Sequence, residues 1–413
     1  MSGGHADLRT YAIVTAAYWA DTITDGAIRI LVLFWFYQLG YSPFELATLF
    51  VLYEVFGIAT NLVGGWLAAR FGLRSTLVLG LVVQLGALLM LALAPDPWLV
   101  VPYVMASQAL SGVAKDLTKM SSKSAVRMVV PEGEHDALFR WVAILTGSKN
   151  ALKGVGFFVG GALLTLVGFQ PALGVLAVLV AAALVLVLVT VRDGLGRPNA
   201  GARFAHMLSD NRAVNVLAAA RVLLFASRDV WFVVGLPVFL RSVLGWSFWE
   251  VGGFMAVWVI GYGAVQAVAP RMLRARGGGE PTGRTATWLA AVLALLPAAI
   301  ALALGADVDP TLALVAGLIA FGVIFALNSA VHSFLILRYA DGDRVAMNVG
   351  FYYMANAGGR LAGTILSGAL YQWQGLEACL WASALMVAGA AAVSLLLPGA
   401  RGRAARADAP SVA

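Results

Sequence analysis

The sequence has few charged residues and almost no cysteine, and each shortage excludes a class of protein. Charged residues make up 12% of the 413 residues, against roughly 25% in soluble domains, which excludes a cytosolic enzyme, a disordered chain and a nucleic-acid-binding protein. The single cysteine, Cys379, excludes a disulfide framework. The four histidines lack metal-site spacing and no catalytic motif is visible, so we expect no metal, no other cofactor and no enzymatic activity.

Long apolar stretches make up most of the chain. Hydrophobic residues account for 61% of the sequence, and a membrane-spanning helix needs about 20 of them in a row. Glycine, proline and polar residues separate twelve such stretches: 10–38, 43–69, 75–94, 99–123, 138–166, 171–191, 213–240, 247–270, 285–304, 311–337, 346–371 and 377–397. The pattern predicts an all-α integral membrane protein with twelve transmembrane helices in the lipid bilayer.

Lysine and arginine are concentrated in alternate connections. Nineteen of the 28 lie in one set of connections and in the two chain ends, whereas the other set contains only Arg241. Because loops rich in lysine and arginine stay on the cytoplasmic side, we expect both termini to be cytoplasmic.

An internal repeat divides the chain into two halves. The segment LGYSPFE at 39–45 resembles LGWSFWE at 244–250, at an offset of 205 residues, and Lys153 corresponds to Arg360 at an offset of 207. We therefore predict two pseudo-symmetric six-helix halves, which is the major facilitator fold. The predicted boundaries are 1–191 for the first half, 192–212 for a cytoplasmic linker, 213–400 for the second half and 401–413 for a cytoplasmic tail.

Thirteen charged residues lie inside the predicted spans and away from the span ends, and a charge at the bilayer centre costs about 2.5–3.5 kcal/mol. The eight cations are Arg29, Lys115, Lys119, Lys149, Lys153, Arg221, Arg228 and Arg360, and the five acids are Asp21, Asp25, Glu54, Asp116 and Asp229. The excess of three positive charges would attract an anion strongly in a low-dielectric cavity. We infer a small anionic substrate with several negative charges.

The predicted binding residues follow from depth and helical spacing. Lys149, Lys153, Arg228 and Arg360 form the expected core of the site, and Lys115, Lys119, Arg221, Asn150, Asn356 and Tyr352 complete the candidate set. Lys115 and Lys119 begin a stripe that continues at spacing of four through Lys123 and Arg127, which indicates either a substrate path or lysines extending to the cytoplasmic interface.

The acids allow two interpretations. Asp25 and Arg29 are four residues apart, so they can form an ion pair within one helix. Alternatively, Asp21 or Asp25 pairs with a lysine of the fifth span and couples transport to protons, with Glu54 as a further proton carrier. Asp229 is adjacent to Arg228 and can pair with it.

Several segments resemble one family in detail. They are Tyr53–Gly57, Thr60–Leu67, Ser111–Leu117, Trp141–Gly154 and Arg228–Val233, and they resemble the ArsJ family of bacterial organoarsenical efflux permeases. The resemblance implies export of 1-arseno-3-phosphoglycerate across the bacterial inner membrane. It also implies functional coupling to glyceraldehyde-3-phosphate dehydrogenase, which makes this compound when arsenate replaces phosphate. A monomer is the usual expectation for such transporters.

Two other functions remain open. An organophosphate/phosphate antiporter would need the same basic site. A membrane scaffold or sensor without transport activity would tolerate neutralisation of Lys153 or Arg360.

Overall fold

The computed structural model describes residues 2–125, 135–191, 211–275, 281–306, 308–339 and 345–398. Within these ranges the regular secondary structure is helical throughout. The helices are α1 Ser2–Gln38, α2 Pro43–Thr48, α3 Val51–Phe71, α4 Leu73–Ala92, α5 Val101–Ala125, α6 His135–Val167, α7 Phe169–Thr190, α8 Arg212–Phe232, α9 Gly235–Ser242, α10 Phe248–Ala275, α11 Gly283–Leu304, α12 Pro310–Tyr339 and α13 Val345–Ser394. Most of the predicted linker and all of the predicted tail lie outside the described residues.

The helices correspond to the twelve predicted spans. The second span consists of α2 and α3, and the seventh consists of α8 and α9. The last two spans both lie in α13, which changes direction at Gln374 and Gly375, where the backbone is not helical. Gly375 has a φ of 69°, a conformation that glycine adopts without steric cost. The predicted all-α fold with twelve transmembrane helices is confirmed.

Hydropathy alone identifies fewer spans than the fold contains. Nine segments of the described chain are long and apolar enough to cross a membrane, and two of the predicted spans merge into one of them, Gly350–Ser394. The helices α1 and α5 are absent from this set because polar and charged residues lower their hydropathy. These two helices supply much of the charge described below.

The two halves begin their second spans in the same way. Ser42 precedes α2 and forms a capping box with Glu45, and Ser247 precedes α10 and makes the same reciprocal hydrogen bonds with Glu250. A capping box satisfies backbone N–H groups that the first helical turn leaves free. The repeated sequence therefore corresponds to a repeated local structure.

Each half also packs its first and fifth spans closely through a glycine. A Cβ on Gly156 of α6 would lie 2.3 Å from the carbonyl oxygen of Ile23 in α1. A Cβ on Gly363 of α13 would lie 2.8 Å from the carbonyl oxygen of Ala226 in α8. Small residues allow transmembrane helices to approach this closely. The halves meet where α6 packs on α10 and where α2 and α3 pack on α13.

Candidate functional site

A cavity of about 210 Å³ lies between the two halves. Helices α1, α3, α5 and α6 supply its wall on one side, and α8, α10, α12 and α13 supply the other. All eight cations predicted inside the spans line this cavity: Arg29, Lys115, Lys119, Lys149, Lys153, Arg221, Arg228 and Arg360. Glu54, Asp116 and Asp229 line it as well. The charges that are costly in lipid are thus gathered in one place.

In the first half, the buried acids pair across helices. Asp25 accepts a hydrogen bond from Lys153 Nζ at 2.9 Å and another from the Tyr53 hydroxyl. Arg29 donates to Glu54 Oε1 at 2.5 Å instead of pairing with Asp25. Of the two interpretations of Asp25, the structure shows the pair with a lysine of the fifth span. Asp21 is fully buried and accepts from Thr118 at 2.6 Å, outside the cavity wall.

Asp116 holds the two lysines of the α5 stripe. Lys119 Nζ lies 2.5 Å from Asp116, and Lys115 Nζ lies 3.9 Å from it. Lys115 and Lys119 are each only 8% exposed, so neither side chain extends to the cytoplasmic interface of the membrane. Lys115 also lies over the ring of Tyr53, 4.1 Å from its centroid. The side chain of Lys123 and the whole of Arg127 lie outside the described part of the chain.

The second half repeats the pairing of the first. Asp229 accepts from Arg360 at 3.3 Å, as Asp25 accepts from Lys153, so each half pairs an acid of its first span with a cation of its fifth. The expected contact between Arg228 and Asp229 is present at 2.5 Å. Arg360 also donates to Glu54 of the first half at 2.6 Å. This contact joins the two halves at the cavity.

Arg221 differs from the other arginines in its surroundings. Among the described residues, its hydrogen-bond partners are neutral: Asn356 Oδ1 at 3.0 Å and both oxygens of Ser329 at 3.1 and 3.3 Å. Its guanidinium stacks on Phe225, 3.9 Å from the ring centroid. Asn150 lines the cavity beside Lys149 and donates across the halves to Gln266 at 3.1 Å.

The structure corrects one candidate and adds others. Tyr352 does not line the cavity, because it is turned into the second half and only 1% exposed. Its neighbour Tyr353 lines the cavity instead. Sequence reasoning missed Trp258, Tyr262 and Gln266, which also line it. These three residues are spaced four apart, which places them on one face of α10. This spacing is the sequence pattern that could have identified them.

The arrangement favours binding of an anion. Among the described residues, eight cations and five acids lie at or directly behind the cavity wall, which leaves a formal excess of three positive charges. A low-dielectric protein environment strengthens the attraction of this excess for a negative ligand. Arginine side chains present a planar pair of donors that matches phosphate-like oxyanions.

Three solved structures resemble this fold along most of its length. They are a POT family transporter in complex with 5-aminolevulinic acid (TM-score 0.75, 14% identity), a POT family transporter in complex with a thioalcohol conjugated peptide (0.72, 15%) and the peptide transporter POT in complex with sulfate (0.74, 15%). The similarity covers 94% of this chain in each case and 95%, 95% and 93% of the respective structures. At these identities the comparison concerns the fold alone.

One relative and one family are detected by sequence. A Na(+), Li(+), K(+)/H(+) antiporter of Planococcus maritimus is 32% identical over 116 residues, which are 28% of this chain. This chain thus spans about a quarter (27%) of that relative's length. The family described as Major Facilitator Superfamily matches residues 13–363. The match covers most of the chain and agrees with its fold, so the protein is a secondary membrane transporter that belongs to the Major Facilitator Superfamily.

Proposed function

We propose that this transporter exports a small organic polyanion, 1-arseno-3-phosphoglycerate, and so confers resistance to arsenate. The observation that supports an anionic cargo is the presence of eight intramembrane cations around one cavity, against five acids among the described residues there. The resemblance to ArsJ permeases supports the particular compound. Its phosphate and arsenate groups would supply the negative charges that the cavity is missing.

The charge of the cavity also argues against a metal cation as cargo. An excess of positive charge repels Na⁺, Li⁺ and K⁺, and the repulsion is strongest where water is scarce. The antiporter relative shares only 116 residues with this chain, so its cargo does not carry over. Trivalent arsenic is excluded for another reason, because it prefers several thiols and the sequence contains only Cys379, which is buried.

The proposed mechanism is alternating access, in which the two halves rock around the cavity. We propose a monomer in the bacterial inner membrane, with both termini in the cytoplasm. Glyceraldehyde-3-phosphate dehydrogenase would supply the substrate there. Asp21, Asp25, Glu54 and Asp229 are the candidates for proton coupling, since each is a buried carboxylate next to a cation or a hydroxyl donor.

An organophosphate/phosphate antiporter is the second candidate. The same basic cavity favours it, because phosphate and arsenate esters present nearly identical oxyanions to arginine and lysine. The two functions differ in the direction of transport and in the exchanged ion. Transport assays can therefore distinguish the two functions, whereas the identity of the cavity residues cannot.

Arsenic uptake into everted membrane vesicles tests the proposal. The vesicles receive arsenate, glyceraldehyde-3-phosphate, cofactor and the dehydrogenase, and wild type is compared with Lys153→Ala and Arg360→Ala. The control is Arg271→Ala, which removes an exposed cation outside the cavity. We expect uptake that requires the dehydrogenase, persists in the control and disappears in both cavity variants.

Other outcomes would contradict parts of this proposal. Uptake without the dehydrogenase would identify arsenate itself as the cargo. Exchange of labelled phosphate for glycerol phosphate, without arsenic uptake, would support the antiporter. Unchanged uptake in correctly folded Lys153→Ala and Arg360→Ala would show that the cavity does not hold the cargo.

A further inference from the structure

Three hydrogen-bond donors converge on one hydroxyl oxygen in the second half. Ser329 Oγ lies 3.1 Å from Arg221 Nη1, 3.3 Å from the Tyr262 hydroxyl and 3.4 Å from Gln266 Nε2. The donors come from α8 and α10, and the serine belongs to α12. Arg221, Tyr262 and Gln266 all line the cavity, whereas Ser329 is fully buried behind them.

This cluster contains more donors than its acceptor can satisfy. A serine oxygen has two lone pairs, so it can accept two hydrogen bonds at once. The amide of Gln266 is held with its nitrogen toward Ser329, because Asn150 Nδ2 donates to Gln266 Oε1 at 3.1 Å. At least one of the three donors therefore has a hydrogen that Ser329 Oγ cannot accept. Because all three donors line the cavity, a ligand oxygen there can accept this spare hydrogen bond.

The charge of Arg221 points to the kind of ligand. Arg221 is 5% exposed, and its described hydrogen-bond acceptors are Asn356 and Ser329, both neutral. By contrast, Arg29, Arg228 and Arg360 each contact a carboxylate. A cation held by neutral groups beside surplus donors is the arrangement that binds an oxyanion. Neutral ligands would satisfy the hydrogen bonds but not the charge.

We propose that Arg221, Tyr262 and Gln266 form an oxyanion subsite that binds one end of a substrate with negative groups at both ends. The inference rests on the proposed anion transport and specifies how the anion is held. The other end would lie near Arg228 and Arg360, where the cavity cations are shared with acids. The guanidinium carbons of Arg221 and Arg228 lie 3.9 and 5.0 Å from the centroid of the same ring, Phe225, so the two groups are at most about 9 Å apart. A substrate whose two charged ends are a few bonds apart fits within this separation.

Bisphosphonates of different length can measure this geometry. Isothermal titration of the full-length protein in detergent would compare methylene-, propylene- and hexylene-bisphosphonate with propylphosphonate, which has one charged end. We expect affinity to rise roughly tenfold to a hundredfold from the methylene compound to the best longer one, as expected when a second charged hydrogen-bonded end is engaged. In Arg221→Gln this dependence on length should vanish, while propylphosphonate binding changes little. Arg271→Gln serves as the exposed control.

Two further variants separate the subsite from a structural role. Tyr262→Phe removes one donor and should weaken the long bisphosphonates several-fold. Ser329→Ala removes the internal acceptor that competes with the ligand for the same donors, so it should strengthen them several-fold. A merely structural serine would produce no gain in affinity.

The outcomes are distinct. The subsite is refuted if propylphosphonate binds but a second phosphonate group adds no affinity at any length. It is also refuted if Arg221→Gln retains the dependence of affinity on length. In both cases the proposed anion transport stands. Weaker binding of the long bisphosphonates by a folded Ser329→Ala protein would also refute the subsite. If no phosphonate binds the wild type, the proposed anion transport fails together with the subsite.

Discussion

Glu54 is the residue whose neutralisation should reduce the stability of the folded protein most. Its carboxylate is 1% exposed, and one oxygen accepts from both Arg29 at 2.5 Å and Arg360 at 2.6 Å. Glu54→Gln keeps the shape of the side chain but leaves two buried guanidinium groups near each other without that charge. Arg360 retains Asp229 at 3.3 Å, whereas Arg29 retains mainly its stacking on Tyr53 at 4.2 Å.

The expected cost follows from the burial of this pair. Removing one partner of a buried ion pair destabilises a protein by about 3–5 kcal/mol, because the remaining charge stays desolvated. We therefore expect the thermal denaturation midpoint of Glu54→Gln in detergent to fall by several degrees. Glu377→Gln makes the same chemical change at an exposed position and should change stability by less than about 0.5 kcal/mol.

Added anion gives the decisive comparison. Pyrophosphate should raise the midpoint of Glu54→Gln more than that of wild type, because an anion in the cavity replaces the missing charge. If Glu54→Gln is as stable as Glu377→Gln, the carboxylate does not hold the two arginines together. If pyrophosphate stabilises wild type and Glu54→Gln equally, the anion does not reach the guanidinium groups of Arg29 and Arg360.

Two further predictions concern the close packing of α1 on α6 and the different contacts of Asp21 and Asp25. Gly156→Ala should prevent close packing of α1 on α6 and reduce the yield of folded protein, since its Cβ would lie 2.3 Å from a backbone oxygen. Gly86→Ala, with nothing within 4 Å of the new Cβ, should stabilise the protein by about 0.4–1 kcal/mol in thermal denaturation, and an equal effect of the two changes would contradict the packing argument. Asp25→Asn should cost about 3–5 kcal/mol because Lys153 loses its partner. Asp21→Asn should reduce stability far less, since the described hydrogen bond of Asp21 comes from the neutral Thr118 hydroxyl, and the reasoning fails if the two variants denature at the same temperature.

Much of the fold could be predicted because helices in a membrane depend on local sequence. A run of about 20 apolar residues forms a helix wherever water is absent, since its backbone groups must bond within the segment. The repeat at residues 39–45 and 244–250 predicted the two halves and is seen again as two matching helix caps. The thirteen charged residues inside the predicted spans indicated a cavity, because charges are costly in lipid.

The details of the site could not be obtained in the same way. Helical spacing places Asp25 and Arg29 on one face, yet Asp25 pairs with Lys153, 128 residues away, and Arg29 pairs with Glu54. Spacing also could not show that Tyr353 rather than Tyr352 faces the cavity, because a difference of one residue turns a side chain by about 100°.

The sequence by itself determined which charges must be gathered, how many remain unmatched and which residues repeat between the halves. Only the tertiary structure decided which acid each cation contacts and that Arg221 is held by neutral groups. The physical reason is that burial cost depends on the residue and its depth, which are properties of the sequence. Pairing depends on distances of a few ångströms between helices far apart in the chain, and only packing sets those distances.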